Sequence, residues 1–318
     1  MNRRQFIHTS IGAMGALATG TLPGLAKDLT AKDTVIKNID PNSLFDISLA
    51  EWSLHRTLWK KELINMDFPK YAKDEFGITA VEYVNSFFKD KAKDMEYLKE
   101  LKQRTSDESI TNVLIMIDGE GRIGAADNKK RIQTVENHKK WVEAAKFLGC
   151  HSIRVNAFGE GQGRKEKADR VIDGLSKLST FAKDFDINVI VENHGGLSSD
   201  GTWLKQVLTD VNMPNCGSLP DFGNFHKYDR YQGITDLMPF AKGVSAKSSE
   251  FDEAGNETQT DFYKAMKICL DAGYRGYVGI EYQGKKLSEP EGIRKTLALL
   301  NKVRAQYTKE NMKEKVKG

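Results

Sequence analysis

The sequence predicts an α/β chain closed into a single (β/α)8 TIM barrel, and three observations predict it. Eight short apolar runs rich in β-branched residues alternate with amphipathic stretches across residues 40–310. Three of those runs end in an acid followed within three residues by Gly or Asn: Glu192 in INVIVENHGG, Asp221 in CGSLPDFGNF and Glu281 in GYVGIEYQG. The first run leads into LAEWSLHRTLW, which contains no glycine. An open doubly wound sheet that holds a dinucleotide needs a Gly-rich turn at that point.

The strand candidates, in order, are LFDISLA near 44–50, ITAVEYV near 78–84, NVLIMID near 112–118 and SIRVNAF near 152–158. The second four are INVIVEN near 187–193, CGSLPD near 216–221, GVSAK near 243–247 and YVGIEY near 277–282. Between them, KKRIQTVENHKKWVEAAKFLG and ADRVIDGLSKLSTFAKDF repeat apolar residues at three- and four-residue intervals, the period of a helix with one buried face. Gly149 and Gly273 are read as helix stops. GEGQGRKEK, after the fourth strand, lacks Walker or dinucleotide spacing and is read as a loop. Strand-helix alternation implies parallel strands with right-handed crossovers, and eight such units with nothing left over close a barrel. No linker or compositional break interrupts residues 40–310, so one domain is expected there.

Residues 1–26 stand apart. MNRRQFIHTSIGAMGALATGTLPGLA joins Arg3-Arg4 to a mildly apolar Gly/Ala run and small residues at Gly24 and Ala26. It reads as an export signal, resembling a twin-arginine leader, and implies a periplasmic destination with no membrane attachment after its removal. Losing Arg3 and Arg4 takes the formal charge from +4 to +2, and the remaining Lys and Arg are interleaved with Glu and Asp. That pattern is a solvated helix face, not a stripe for nucleic acid. With 39% hydrophobic and 29% charged residues the chain is globular rather than disordered or fibrous. Cys150, Cys216 and Cys269 lack metal-ligand spacing and are expected to be buried free thiols.

Strand carboxyl ends are where a barrel of this kind carries its chemistry. Glu192, Asp221 and Glu281 are therefore the leading site residues, and carboxylates converging there suit a hard divalent cation. Around them, His194, His226, His55, Glu82 and Asn156 are candidate substrate contacts. Asn156 is preferred to Arg154 as the residue of strand four that faces the interior, because it lies nearer the catalytic end. Tyr83 shares the end of strand two with Glu82. Trp52, Trp59 and Trp203 are candidates for a wall that stacks on a sugar ring, and packing is the alternative for each. His138 and His151, on or beside a helix, are read as structural or exposed.

VENHGG, PDFGNF and GIEYQG, on strands five, six and eight, resemble the sugar phosphate isomerase/epimerase family with the xylose isomerase-like TIM barrel. The resemblance implies a divalent metal (Mn, Mg, Zn or Co) held by Glu, Asp, His and Glu from strands five to eight, and Glu192, Asp221 and Glu281 match three of those positions. Strand seven departs from it. A pattern similar to VHxKD is expected, whereas the chain reads Val244-Ser245-Ala246-Lys247, with Ser245 in place of the imidazole. Either His194, His226 or water completes the ion's shell, or the ion binds weakly, or Lys247 occupies its place and supplies the positive charge.

The chemistry implied is proton abstraction beside a sugar carbonyl, with Glu192 and Glu281 as acid and base and Lys247 as a third catalytic residue. The partner is thus a small-molecule sugar or glycoside. Elimination or hydration of an oxidised (keto) glycoside is the nearest alternative, and a barrel that binds sugar without catalysis is a second. The six histidines, one of them in the leader, are too few for the three-zinc DNA-repair endonucleases that share this barrel, and the near-neutral charge points the same way.

Overall fold

The structure is a computed structural model and describes residues 43–317; the leader expected over residues 1–26 lies outside the described residues. Eight strands form the sheet: β1 (Asp46–Ala50), β2 (Ala80–Val84), β3 (Thr111–Met116), β4 (Ser152–Asn156), β5 (Asn188–Glu192), β6 (Cys216–Leu219), β7 (Val244–Ser248) and β8 (Tyr277–Tyr282). Around them run α1 (His55–Trp59), α2 (Phe68–Phe76), α3 (Met95–Asp107), α4 (Asn128–Leu148), α5 (Gly163–Lys183), α6 (Gly201–Val211), α7 (Arg230–Leu237), α8 (Phe262–Asp271) and α9 (Glu289–Lys317). All eight expected strands are present, each bound within two residues of its expected place.

Every ladder is parallel, in the order β6-β5-β4-β3-β2-β1-β8-β7. The remaining gap, between β6 and β7, is crossed by bridges at Ser218 with Ala241 and Asp221 with Ser245, and by Ser245 N–H donating to Pro220 O at 2.9 Å. The sheet therefore closes. Among the described residues no helix is long and apolar enough to cross a membrane.

Aspartates set where many of the helices begin. Asp94, Asp127, Asp200, Asp229 and Asp261 each accept a hydrogen bond from the backbone N–H three residues on, satisfying donors that a helix start leaves free. Gly149 ends α4 with φ 87°, a left-handed conformation that a side chain disfavours.

Strand alternation splits the apolar residues into two cores and settles which side chains enter the lumen. Val189 and Val191 of β5, Ile153 and Val155 of β4, Val244 and Ala246 of β7, and Val278 and Ile280 of β8 pack outward against the helices. Ile190, Val84, Met116, Leu219 and Tyr277 form the inner core. Glu192, Arg154, Asn156, Ser245, Lys247 and Glu281 stand in the alternate positions, so the outward packing of their neighbours turns them into the barrel. Cys150, Cys216 and Cys269 are free and buried.

Candidate functional site: a carboxylate cluster with two buried cations

Register brings the acids to one level. Asn156 pairs with Glu192, Glu192 with Leu219, Asp221 bridges to Ser245, and Lys247 pairs with Glu281. Glu192, Asp221 and Glu281 are all buried, and one carboxylate oxygen from each lies within 4.8 Å of the others. The convergence expected from three separated stretches of sequence is thus present.

Asp221 is the most heavily hydrogen-bonded of the three. Its Oδ1 accepts from Gly223 N (2.7 Å) and Asn224 N (2.9 Å), and its Oδ2 accepts from Ser245 Oγ (2.9 Å). Asn193, which alternates with Glu192, clamps its backbone in both directions: Asp221 N–H donates to Asn193 Oδ1 at 2.7 Å and Asn193 Nδ2 donates to Asp221 O at 2.9 Å. Asn224 also donates to Glu192 Oε1 at 3.0 Å. The DFGN turn is therefore a set of donors folded over two acids.

Two cations sit among these groups. Lys247, only 7% exposed, places Nζ 2.5 Å from Glu281 Oε1 and 3.6 Å from Asp221 Oδ2, with Gln283 Oε1 at 3.4 Å. Burial would favour the neutral amine, but Asp221, Glu281 and Glu192 outweigh it and hold Lys247 protonated well above the usual lysine range. The same contact offsets burial at Glu281 and keeps its carboxyl below the ordinary glutamate range. Burial dominates at Asp221, whose distance to the ammonium is greater, and pushes it up to about 7.

Arg154 is the second cation. Its Nε lies 2.9 Å from Glu192 Oε2 as an ion pair without hydrogen-bond alignment, and its Nη1 donates to Asp118 Oδ1 at 2.8 Å. Asn156 Nδ2 donates to the same Asp118 oxygen at 2.7 Å, and Asn85 fixes the Asp118 backbone through two hydrogen bonds of 2.9 Å. The expectation that Asn156 rather than Arg154 faces the interior is corrected here. Residues two apart on a strand share a face, so both point inward and both meet Asp118.

The other expected site residues divide by position. Glu82 enters the lumen, accepts from Ser48 Oγ at 2.5 Å, and lies where a Cβ at Gly279 would stand 2.4 Å from it; burial raises its carboxyl to about 7. Tyr83 points the opposite way, into the helix layer, with its hydroxyl on Asn112 Oδ1 at 2.6 Å. His194 is half-buried, with an unpartnered buried Nδ1, and close enough to Asp118 and Glu281 for a charge on it to be felt at both. His226 is exposed on the turn after β6.

His55 lies at the rim with Nδ1 2.7 Å from Trp52 O, so this nitrogen carries the hydrogen. Its ring stacks on Trp52 at 5.1 Å, and Trp59 and Phe87 close the group at 5.2 and 6.2 Å from Trp52. Trp52 and Phe87 rest on the inner core, and Trp59 is 58% exposed. Trp203 is not part of this wall: it is buried at the start of α6 with Nε1 on Arg164 O at 3.2 Å. His138 is buried in α4 against Thr134 O, and His151 stands before β4, at the end of the strand remote from the carboxylates.

Sequence reasoning missed Asp118, Asn85, Asn193 and Asn224, and set Arg154 aside. Asp118 and Asn85 carried a usable signal, since each is the first polar residue at or beyond a strand's carboxyl end. Asn193 and Asn224 carried none, because their roles depend on which turn folds over which acid.

A parallel barrel with acids, amides and cations converging at the carboxyl ends of its strands defines an α/β-barrel protein with a single polar mouth. Residues 70–303 match the family described as the xylose isomerase-like TIM barrel, and the chain belongs to that family. No curated protein matches the chain. Among solved structures it is similar to the IOLI protein with a bound zinc atom (15% identity, TM-score 0.67, covering 83% of this chain and 99% of that one). It is also similar to the 3-keto-D-glucoside 4-epimerase YcjR from E. coli (15%, 0.60, 82% and 99%). A third likeness is to the probable 3-DHS dehydratase AsbF from Bacillus anthracis (14%, 0.63, 81% and 99%). At these identities the likeness is one of fold.

A divalent ion could draw one oxygen from each of Glu192, Asp221 and Glu281, whose spacing suits it. The donors already on those oxygens do not fit it. Asp221 receives three hydrogen bonds, the Ser245 hydroxyl is directed at Asp221, and the Lys247 ammonium stands between Asp221 and Glu281. An ion at that point would meet a like charge.

Proposed function

We propose that the protein is a carbohydrate isomerase or epimerase that enolises a keto sugar, with Glu192 and Glu281 as the proton-transfer groups. One observation carries the reading: two buried glutamates reach a common point from β5 and β8, and an ammonium held by one of them stands beside it. In the reaction a carboxylate takes the proton from the carbon next to the carbonyl. The C–H electron pair becomes the C=C bond, and the carbonyl pair moves onto oxygen as an enolate. Lys247 donates a hydrogen bond to that oxygen and stabilises its charge. Return of the proton to the opposite face of the same carbon inverts it; return to the former carbonyl carbon, with the proton of the adjacent hydroxyl passing to the enolate oxygen, interconverts aldose and ketose.

The aromatic wall of Trp52, His55, Trp59 and Phe87 supports a ring-shaped substrate, since apolar sugar faces stack on such rings. A second reading is elimination from a keto-glycoside, in which the same enolate expels the substituent β to the carbonyl. The export-type leader favours it, because intact glycosides are met outside the cytoplasm, and so does the fold likeness to a 3-keto-D-glucoside epimerase and a dehydratase. Incubation with a panel of keto-sugars and keto-glycosides in deuterated water tests both. Label uptake at the carbon beside the carbonyl is expected, accompanied by glycoside cleavage if elimination follows. Binding without uptake for every member would leave a sugar-binding barrel instead.

A further inference from the structure

The two buried cations are built in rather than incidental. Lys247 reaches the acids because position 223 carries no side chain: a Cβ there would lie 2.7 Å from Lys247 Cδ and 3.0 Å from Cγ. Arg154 is fixed by Asp118, which Asn85 and Asn156 hold in turn. Each cation is committed to one of the two glutamates, Lys247 to Glu281 at 2.5 Å and Arg154 to Glu192 at 2.9 Å. Ser245, where the family resemblance calls for an imidazole, spends its hydroxyl on Asp221. The two positive charges equal that of one divalent ion, and they are delivered to the same carboxylates.

Resting on the enolisation reading, we infer that Arg154 and Lys247 together replace the divalent ion, so that this barrel handles a keto sugar with resident protein cations and no metal. Lys247 faces the substrate oxygen. Arg154 is a positioning residue that holds Glu192 through charge. The ligand class is a neutral keto-sugar or keto-glycoside, whose carbonyl oxygen accepts from the ammonium without displacing it.

The test uses the purified full chain, its metal content after dialysis, calorimetric titration with Mn2+ and Zn2+, and label uptake from deuterated water with and without chelator. The wild type is expected to hold no stoichiometric ion and to exchange label equally in chelator. Ser245→His combined with Lys247→Ala restores the missing ligand and clears the ammonium, and is expected to bind Mn2+ at least roughly 100-fold more tightly than the wild type. Lys247→Ala alone covers the case in which the double variant does not fold. Its label uptake is expected to fall by about 100-fold and to recover with added ethylammonium but not with Mn2+. One ion per chain in the wild type, with uptake lost on chelation and restored by Mn2+, would overturn the inference while leaving enolisation standing. Recovery of the Lys247→Ala variant by Mn2+ would also overturn it. The expected ion measurements with no label uptake from any sugar would support the cation assignment and sink the enolisation reading alone.

Discussion

The side chain of Lys247 runs over the α-carbon of Gly223, so closely that a methyl group at position 223 would stand 2.7 Å from Lys247 Cδ. Gly223 does not have a positive φ, so alanine there is free of backbone strain. Gly223→Ala is therefore expected to displace the ammonium while leaving the fold in place. Label uptake from deuterated water should fall by about 10- to 100-fold, with near-ultraviolet circular dichroism unchanged. Wild-type uptake in a folded variant would show that the position of Lys247 does not matter.

Glu192→Gln and Glu281→Gln keep side-chain size and remove the ability to carry a proton. Each is expected to lower kcat by about 100- to 10,000-fold with sugar affinity retained, read from steady-state rates and calorimetry. A loss of affinity with kcat preserved would assign these residues to binding.

Trp59 is 58% exposed and contacts the wall through ring edges. Trp59→Ala is expected to raise KM by roughly 10-fold, leave kcat intact, and shift stability by less than about 1 kcal/mol. Unchanged KM with glycosides would remove the wall from the substrate path.

Stability is expected to fall with rising pH through a defined window. Burial raises the Glu51 carboxyl to about 8, against hydrogen bonds from Val84 N and Asn65 Nδ2, and raises Glu82 to about 7. The folded chain keeps protons that the unfolded chain releases near pH 4.5, the ordinary value for glutamate. The stabilisation is full below that pH and is lost progressively as pH climbs to between about 7 and 8, with a slope of up to about 1.4 kcal/mol per pH unit for each group. Denaturant titrations from pH 4.5 to 8.5 measure it, and Glu51→Gln is expected to flatten the slope. A flat wild-type profile would place Glu51 in a more solvated setting.

The proposed export would depend on Arg3 and Arg4 of the leader-like stretch. Replacing both with lysine is expected to leave most of the protein inside the cytoplasm of a twin-arginine-competent host, as read by cell fractionation. Undiminished periplasmic recovery would assign the leader to another route.

The eight strands were legible because a strand buried on both faces leaves a dense apolar run, and alternation with helices admits few topologies. Glu192, Asp221 and Glu281 were legible because each closes such a run. Arg154 was set aside although it lies two residues before Asn156, where the two-residue period of a strand puts both on one face. Trp203, a plausible wall residue in isolation, is buried because α6 begins there and turns its ring toward Arg164.

The sequence by itself determined the barrel, the three acids and the absence of an imidazole at Ser245, since these follow from periodicity and residue identity along short stretches. Only the tertiary structure decided how the acids are neutralised. Lys247 reaches Glu281 because β7 and β8 are in register and Gly223 leaves room, and Arg154 reaches Glu192 because β4 and β5 pair with Asp118 overhead. Those contacts join residues between 24 and 38 positions apart. Charge pairing over such separations is set by strand register and by which side chains leave space, neither of which is written in the local pattern of the chain.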